Sequence, residues 1–258
     1  MSWNESGVSC VETDQGYEKS VHLHDQFACD ESFHFFIAYT EPEQKHLEIS
    51  PGTGRLAFAA AGQGTDVFCI EPSAAMGAIL REKIRGDAML PRQRPLDTET
   101  ATASRTDQAF PHAVMPGIYN PYMALDEKRH SLESAHRHLD SGATLVLDVH
   151  TGIIFPRPLN PAGELQKDSL TYHRQVEPAK QRDASVRATP IFEIPYAGQI
   201  IDRVEQKSRA ACIEPQEVGS SLVATGFETR CQFGDHRHSP RRPASSLLTI
   251  QAERMTLP

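Results

Sequence analysis

HLEISPGTGRLAFAAAGQGTDVFCIEPSAAM, the sequence of residues 46–76, carries the clearest structural signal of this chain. Apolar residues around Leu47 predict a short strand that ends in a turn containing Gly52 and Gly54. The missing side chains of these glycines let the backbone approach a ligand closely. A helix of small residues follows, and then a second strand that ends at Glu71. This order predicts the first half of an α/β sheet that holds a nucleoside-bearing cofactor.

An acid at the end of the second strand indicates how a nucleoside is held. Glu71 lies seventeen residues beyond Gly54. An acid at that place can accept hydrogen bonds from both hydroxyls of a ribose. The spacing of Gly52, Gly54 and Ala57 also fits a nicotinamide or flavin cofactor, so the glycines alone do not choose among cofactors.

The residues around the glycines narrow the choice. Glu48 precedes the turn, and Glu71 opens the run Glu-Pro-Ser-Ala-Ala-Met that ends at Met76. These residues resemble the first two motifs of class I S-adenosylmethionine (SAM) dependent methyltransferases. The resemblance implies that Glu48 contacts the amino end of the methionine moiety and that Glu71 binds the ribose. Glu48 would repel a dinucleotide pyrophosphate, which argues against a nicotinamide-dependent oxidoreductase.

The resemblance to these methyltransferases extends over nearly the whole chain. Residues 110–118 are similar to the fourth strand and the turn beside the reactive methyl group, and residues 139–148 to the fifth strand with the turn before it. Residues 215–228 are similar to a C-terminal helix and turn, and residues 245–254 to an antiparallel edge strand that closes the sheet. The implied α/β fold is a Rossmann-like, mostly parallel, seven-stranded sheet with an antiparallel final strand, a helical N-terminal cap and a small antiparallel β lid.

The resemblance also implies a set of SAM-binding residues spread over the first half of the chain. They are Tyr17, Glu48, Gly52, Gly54, Arg55, Glu71, Pro72, Met76, Glu99, Thr100, Ala101 and Met115. Tyr17 covers the methionine end of the cofactor in this interpretation, and in the alternative one it only packs a helix.

Two positions depart from the family pattern. Ser50 replaces the usual first glycine of the turn, where its side chain crowds the backbone. Thr100 stands where the family has an Asp that binds the adenine amino group, and Asp97, Glu99 or a backbone contact is the alternative. Both departures keep open a second hypothesis, a SAM-fold protein that has lost catalysis and serves as a binding partner.

The sequence divides into four regions. Residues 1–45 are the helical cap, and residues 46–150 are the SAM-binding Rossmann-like core. Residues 151–210 are rich in proline, and segments within them read as antiparallel strands, so we expect the lid and the substrate region there. Residues 211–258 complete the core sheet. A length of 258 residues suits one such α/β unit with a cap.

Composition restricts the partners and the compartment. The chain has 26 basic and 34 acidic residues, a net charge of −8 that disfavours binding to nucleic acid. Its five cysteines have no C-x-x-C spacing, which is typical of reduced thiols in a cytoplasm. No apolar run has the length of a membrane span or a signal peptide. We therefore expect a cytoplasmic monomer or homodimer that works on a small molecule, without nucleic acid or membrane.

Histidine pairs are the candidates for a metal site. Three His-x-His pairs begin at His22, His136 and His236, but none has a third ligand at a recognisable spacing, so no metal is predicted. The pairs are interpreted as solvated or hydrogen-bonded surface histidines.

Strand ends supply the candidates for catalysis, since open α/β sheets bind ligands at the C-terminal ends of their strands. His150 follows the fifth strand, and Tyr119 and Tyr122 follow the fourth. They are candidates for a base or for orienting the acceptor; otherwise His150 caps its strand and the tyrosines line the core. The sequence predicts methyl transfer to oxygen or nitrogen of a small molecule. The alternatives are the catalytically degenerate SAM-fold binding protein and, less favoured, an NAD(P)-dependent oxidoreductase.

Overall fold

A computed structural model gives the fold. It describes residues 21–24, 30–86, 96–97, 109–119, 125–151, 164–167, 170–180, 186–196, 199–205, 208–210, 214–243 and 245–256. The helices in these residues are α1 (Val21–His24), α2 (Asp30–Ile37), α3 (Arg55–Gly62), α4 (Ala74–Gly86), α5 (Leu125–His138) and α6 (Pro215–Ala224). The strands are β1 (Lys45–Ile49), β2 (Asp66–Ile70), β3 (Leu96–Asp97), β4 (Phe110–Tyr119), β5 (Leu139–His150), β6 (Glu164–Lys167), β7 (Leu170–Lys180), β8 (Val186–Tyr196), β9 (Gln199–Glu205), β10 (Ser208–Ala210), β11 (Phe227–Phe233) and β12 (Leu247–Arg254).

The main sheet has seven strands in the order β11-β12-β5-β4-β1-β2-β3. Neighbouring strands from β5 through β4, β1 and β2 to β3 are parallel. The last strand, β12, is antiparallel to both β5 and β11. The mostly parallel Rossmann-like sheet with an antiparallel final strand is thus confirmed.

The expected position of the final strand at the sheet edge was wrong. β12 lies between β5 and β11, and β11 forms the edge. Their side chains explain the order. Leu248, Ile250 and Ala252 of β12 are buried, whereas β11 exposes charged residues such as Glu228. An apolar strand buries more of its surface when it has neighbouring strands on both sides, and charges on an edge strand disfavour pairing with a further strand.

Helices cover both faces of the main sheet, as a mostly parallel sheet requires. On one face, Leu147 of β5 and Leu47 of β1 belong to a core that includes Leu132 of α5 and Leu222 of α6. On the other face, one cluster of buried residues comes from α2, α3 and the strands β4 and β5; its members are Phe35, Phe36, Leu56, Val114 and Val146. Full burial of a side chain of the size of Leu stabilises the fold by about 1.5–3 kcal/mol.

A second sheet, formed by β6–β10, lies in the chain between β5 and α6. Its strand pairs are all antiparallel, with β8 paired to β7 on one side and to β9 and β10 on the other. The antiparallel strands expected within residues 151–210 are therefore present. Its role as a lid and the boundaries of the four regions stay predictions. No helix in the described part of the chain is both long and apolar enough to span a bilayer.

Candidate cofactor site and active site

The glycine loop, residues 50–54, follows β1 in a compact turn. Ser50, Gly52 and Gly54 have φ angles of 58°, 63° and 89°, in the left-handed region that favours glycine. The Ser50 N–H donates a hydrogen bond to the Ile70 carbonyl at 2.8 Å, which fixes the start of the loop beside the end of β2. A left-handed conformation costs a residue with a side chain about 1–2 kcal/mol. Ser50 thus has a backbone conformation that a glycine would adopt without this cost.

Gly54 is the most confined residue of the glycine loop. A Cβ atom there would lie 2.3 Å from Leu80 Cδ1 and 3.1 Å from Phe58 Cε2. Leu80 belongs to α4, so α3 and α4 meet at this glycine. The φ angle of 89° favours glycine, and a Cβ atom at this position would also require the Leu80 side chain to shift. Gly54 therefore lets the start of α3 pack closely against Leu80 of α4.

The carboxylate of Glu71 links the end of β2 to the glycine loop. Its Oε2 accepts a hydrogen bond from the Gly52 N–H, and its Oε1 accepts one from the Ser73 N–H, both at 2.7 Å. The side chain is buried. Two backbone donors fix the carboxylate at the mouth of the loop, the place where the sequence predicts a ribose.

Glu48 is a buried carboxyl group on β1. Its residue is 2% exposed, and its Oε2 makes no hydrogen bond within the described residues. Burial, followed by the charge of Glu71, raises the pKa of Glu48 to about 8. A buried carboxyl with an unused oxygen is unfavourable unless a cation or a donor pairs with it. Glu48 therefore fits a ligand that brings a positive charge to this end of the glycine loop.

The residues after Glu71 form the start of α4. The Ser73 hydroxyl accepts a hydrogen bond from the Met76 N–H at 3.2 Å, as at a helix N-cap. Pro72 is half-buried, and the Met76 side chain is buried. The Glu-Pro-Ser-x-x-Met run thus places an acid, a helix cap and an apolar side chain at one end of the sheet.

Arg55 and Met115 are two further predicted cofactor contacts whose side chains the structure describes. The Arg55 guanidinium stacks 5.1 Å from the centre of the Phe33 ring of α2. Met115 is fully buried in the core on the α5 and α6 face, whereas Glu48 points to the opposite face by the alternation of its strand. Their contacts with the cofactor stay predictions.

The structure describes only some of the remaining predicted site residues. Tyr119 and His150 end β4 and β5, and only their backbone is described. Asp97, an alternative for the adenine contact, ends β3 and pairs in register with Ile70. Five predicted residues lie outside the described residues: Tyr17, Glu99, Thr100, Ala101 and Tyr122.

A pair of side chains near the end of β5 was not predicted from the sequence. Asp148 Oδ2 lies 2.9 Å from Nε2 of His236, and Asp148 Oδ1 accepts a hydrogen bond from the Gly117 N–H at 2.6 Å. The side chains of Asp148 and His236 are only 4% and 11% exposed. Phe35 and Phe36 lie against the His236 ring, with centroids 5.3 and 6.0 Å away. His236 is thus a partly buried, oriented imidazole and not a solvated surface histidine.

The other histidine pairs are arranged differently. The His136 ring packs edge-on against Phe227, and His138 Nδ1 donates to the Ser134 carbonyl at 2.8 Å. Among the described ranges, no group of three or more His, Cys, Asp or Glu side chains is arranged to hold a metal ion. The absence of a metal stays a prediction.

Known proteins resemble this chain in structure and not in sequence. No protein-family model matches it, and no curated protein matches it significantly. Among solved structures, the CcbJ methyltransferase from Streptomyces caelestis superposes with a TM-score of 0.71 and 19% identity, covering 96% of this chain and 100% of that one. A SAM-dependent methyltransferase from Clostridium acetobutylicum gives a TM-score of 0.70 and 14% identity, with 93% and 99% covered.

A third similar structure is a methyltransferase that acts on a sugar nitrogen. It is the sugar N-methyltransferase KedS8 from a Streptoalloteichus species, with a TM-score of 0.66 and 16% identity, covering 99% of both chains. At these identities the similarity concerns the fold. The chain has the Rossmann-like fold of class I SAM-dependent methyltransferases over nearly its whole length.

Proposed function

We propose that this chain is a SAM-dependent methyltransferase that transfers a methyl group to a nitrogen or an oxygen of a small molecule. One observation carries the proposal: the buried Glu48 carboxyl, with an unpaired oxygen, lies in the same site as the fixed carboxylate of Glu71. The buried Glu48 carboxyl favours a ligand with a positive charge, and the Glu71 carboxylate is held where a ribose can bind. SAM carries both groups.

The same two acids disfavour a dinucleotide. A pyrophosphate over the glycine loop would face the negative charge of Glu71 and of any ionised Glu48. The ammonium group of SAM instead stabilises the ionised form of Glu48, whose pKa is raised by burial. We therefore assign the methionine end to Glu48 and the ribose to Glu71, with the glycine loop under both. The NAD(P)-dependent oxidoreductase is the less favoured alternative.

In this mechanism the chain binds, orients and keeps water away. SAM, when bound, supplies a methyl group that its sulfonium has already activated. The C-terminal ends of β4 and β5 receive the acceptor, because open α/β sheets bind ligands there. Phe35 and Phe36 provide apolar cover beside those ends. Holding the acceptor atom in line with the methyl group then supplies most of the rate. Tyr119, Tyr122 and His150 remain candidates for orienting the acceptor.

The acceptor is proposed to be a small molecule that carries an amine or a hydroxyl group. The similarity to a sugar N-methyltransferase over 99% of the chain supports this class. We assign the choice of acceptor to residues 151–210, which contain the second sheet. Similar chains of this fold with different acceptors are expected to differ most in such an inserted element.

The finer expectations on partners and compartment are also proposals. The net charge of −8 supports a protein that works without nucleic acid. Among the described residues Cys69 and Cys231 are free thiols, which supports a reducing compartment such as the cytoplasm. We propose a monomer or homodimer.

Calorimetric titration with SAM, S-adenosylhomocysteine (SAH) and NADH tests the cofactor. We expect micromolar binding of SAM and SAH and none of NADH. Glu71→Ala should weaken SAH binding about 10- to 100-fold, because hydrogen bonds to a charged group contribute about 1.5–3 kcal/mol. The control Glu82→Ala removes an exposed acid from α4 and should leave SAH binding unchanged. Unchanged SAH affinity in Glu71→Ala would overturn the ribose assignment.

Methyl transfer from tritiated SAM to a panel of amino sugars and their hydroxyl counterparts tests the reaction. Transfer to a member of the panel is the expected result. SAM binding without any transfer, or no binding of SAM, would favour the catalytically degenerate protein. Binding of NADH alone would favour the oxidoreductase.

A further inference from the structure

Asp148 and His236 form a connected pair that the cofactor site does not use. The His236 ring comes from the segment after β11, and it reaches back to Asp148 near the end of β5. The second oxygen of Asp148 accepts the Gly117 N–H, so the carboxylate is fixed from two sides. A pair this well buried, joined across 88 residues of sequence, holds the imidazole in one orientation.

The pair lies on the same face of the main sheet as Glu48. Glu48 pairs in register with Val114 of β4, and Val114 pairs with Val146 of β5. Asp148 is two residues beyond Val146, so it points to this same face, one step nearer the C-terminal ends of the strands. Two strand spacings, about 10 Å, separate β1 from β5. Asp148 and His236 are thus beside the proposed SAM site, at the ends of β4 and β5.

The hydrogen bond to Asp148 leaves one ring nitrogen of His236 able to accept a proton. A carboxylate only accepts hydrogen bonds, so the Nε2 atom that meets Asp148 carries the proton. The lone pair then resides on Nδ1, which makes no hydrogen bond to the described residues. The apolar rings of Phe35 and Phe36 lie against the His236 ring, whose side chain is 11% exposed.

We infer that His236, oriented by Asp148, is the base that takes the proton from the methyl acceptor; this inference rests on the proposed methyltransferase function. The acceptor nitrogen or oxygen forms a bond to the methyl carbon while the bond from that carbon to sulfur breaks, and the electron pair stays on sulfur. The proton lost by the acceptor passes to Nδ1 of His236. The resulting imidazolium is paired with the Asp148 carboxylate until it releases the proton to solvent.

The tautomer of His236 provides a test that does not depend on activity. Two-dimensional NMR of the full chain with ¹⁵N-labelled histidine, at pH 8.5 and with and without SAH, reports which ring nitrogens carry protons. His236→Gln identifies the signal by its loss. We expect the Nε2–H tautomer in the wild type and a larger Nδ1–H fraction in Asp148→Asn, whose amide can donate to Nε2. An Nδ1–H or doubly protonated ring in the wild type would overturn the inference. An unchanged tautomer in Asp148→Asn would remove the orienting role of Asp148.

Kinetics separate a base from a structural contact. With the panel member that the wild type methylates fastest, His236→Gln should lower kcat about 100-fold, with the acceptor KM and the SAH affinity changed less than about twofold. The matched control His238→Gln changes the exposed neighbouring histidine and should keep the wild-type kcat. A kcat of His236→Gln within about threefold of wild type refutes the base. Failure of the wild type to bind SAH or to transfer methyl groups refutes the proposed function instead.

Discussion

His46 and His112 face each other on β1 and β4 in an unusual environment. Their ring centroids are 4.5 Å apart, and His46 is 0% exposed. Neither ring nitrogen of His46 makes a hydrogen bond within the described residues. Burial, followed by the nearby His112, lowers the pKa of His46 to about 3. His46 is therefore neutral in the folded protein, whereas in the unfolded chain it titrates near its ordinary value of 6.5.

Acid should destabilise the protein through His46. Its folded-state pKa lies below the unfolded one, so its contribution is fully present above pH 6.5 and is lost as the pH falls toward 3. His46→Leu removes that proton uptake. We expect the free energy of unfolding of the wild type to fall relative to that of His46→Leu as the pH is lowered from 6.5 toward 3. The expected loss is about 1.4 kcal/mol for each pH unit. Urea unfolding at several pH values measures the difference.

Glu48 acts with the opposite sign and is present in both proteins. Its pKa is raised to about 8, so its contribution is fully present below its ordinary value of 4.5 and is lost as the pH rises toward 8. Because Glu48 is present in the wild type and in His46→Leu, its contribution cancels when their free energies of unfolding are subtracted. The same holds for the wild type and His34→Leu, a control that changes an exposed histidine. A wild-type to His46→Leu difference that does not vary with pH would contradict the assignment of acid sensitivity to His46.

At the scale of elements, the glycine loop is restricted at Gly54 in two ways, by a left-handed backbone and by the lack of space for a side chain. Substitutions can distinguish these two effects. Gly54 and Gly64 have similar φ angles, +89° and +95°, but a Cβ atom would meet neighbours within 4 Å at Gly54 and none at Gly64. Both Gly54→Ala and Gly64→Ala should lose about 1–2 kcal/mol to the left-handed backbone. Gly54→Ala should lose more because of the contact with Leu80, and it alone should lose SAH affinity. Thermal unfolding and calorimetry measure the two effects.

Equal stabilities and equal SAH affinities of these two variants would show that the contact between α3 and α4 does not shape the glycine loop.

The order of the last two strands is a second property of the elements, and local sequence did not predict it. The alternation of β12 indicates a strand but not its neighbours. Its pairing with β5 joins segments about 100 residues apart, as in Thr249 with Asp148. The strand order depends on which of the two strands takes the interior position of the sheet, and the apolar β12 is favoured there over the charged β11.

Over the whole chain, most of the fold was predictable because its signals are local. The glycine loop and the acid after β2 depend on residues less than about 20 positions apart in the sequence. The resemblance of these same local motifs to those of the methyltransferases predicts Glu48 and Glu71 as site residues, and this assignment stays a prediction. The contact between Asp148 and His236 was not, because it joins two segments through the fold. An acid near the end of the apolar strand Leu-Val-Leu-Asp was the available signal, since a buried charge needs a partner.

The proposed cofactor site depends most on the pairing of Glu48 with the ammonium group of SAM. Calorimetry with SAH at pH 6.5, in two buffers of different ionisation enthalpy, counts the protons released on binding. At this pH Glu48 is protonated in the free protein, because its pKa is about 8, and the ligand amine is already charged. Pairing with the amine should ionise Glu48 and release close to one proton.

We expect release of about one proton by the wild type and about none by Glu48→Gln. We also expect about none with 5′-methylthioadenosine, which lacks the amino acid end. Tight binding of SAH to the wild type without proton release, or equal release by Glu48→Gln, would contradict the pairing of Glu48 with the amine.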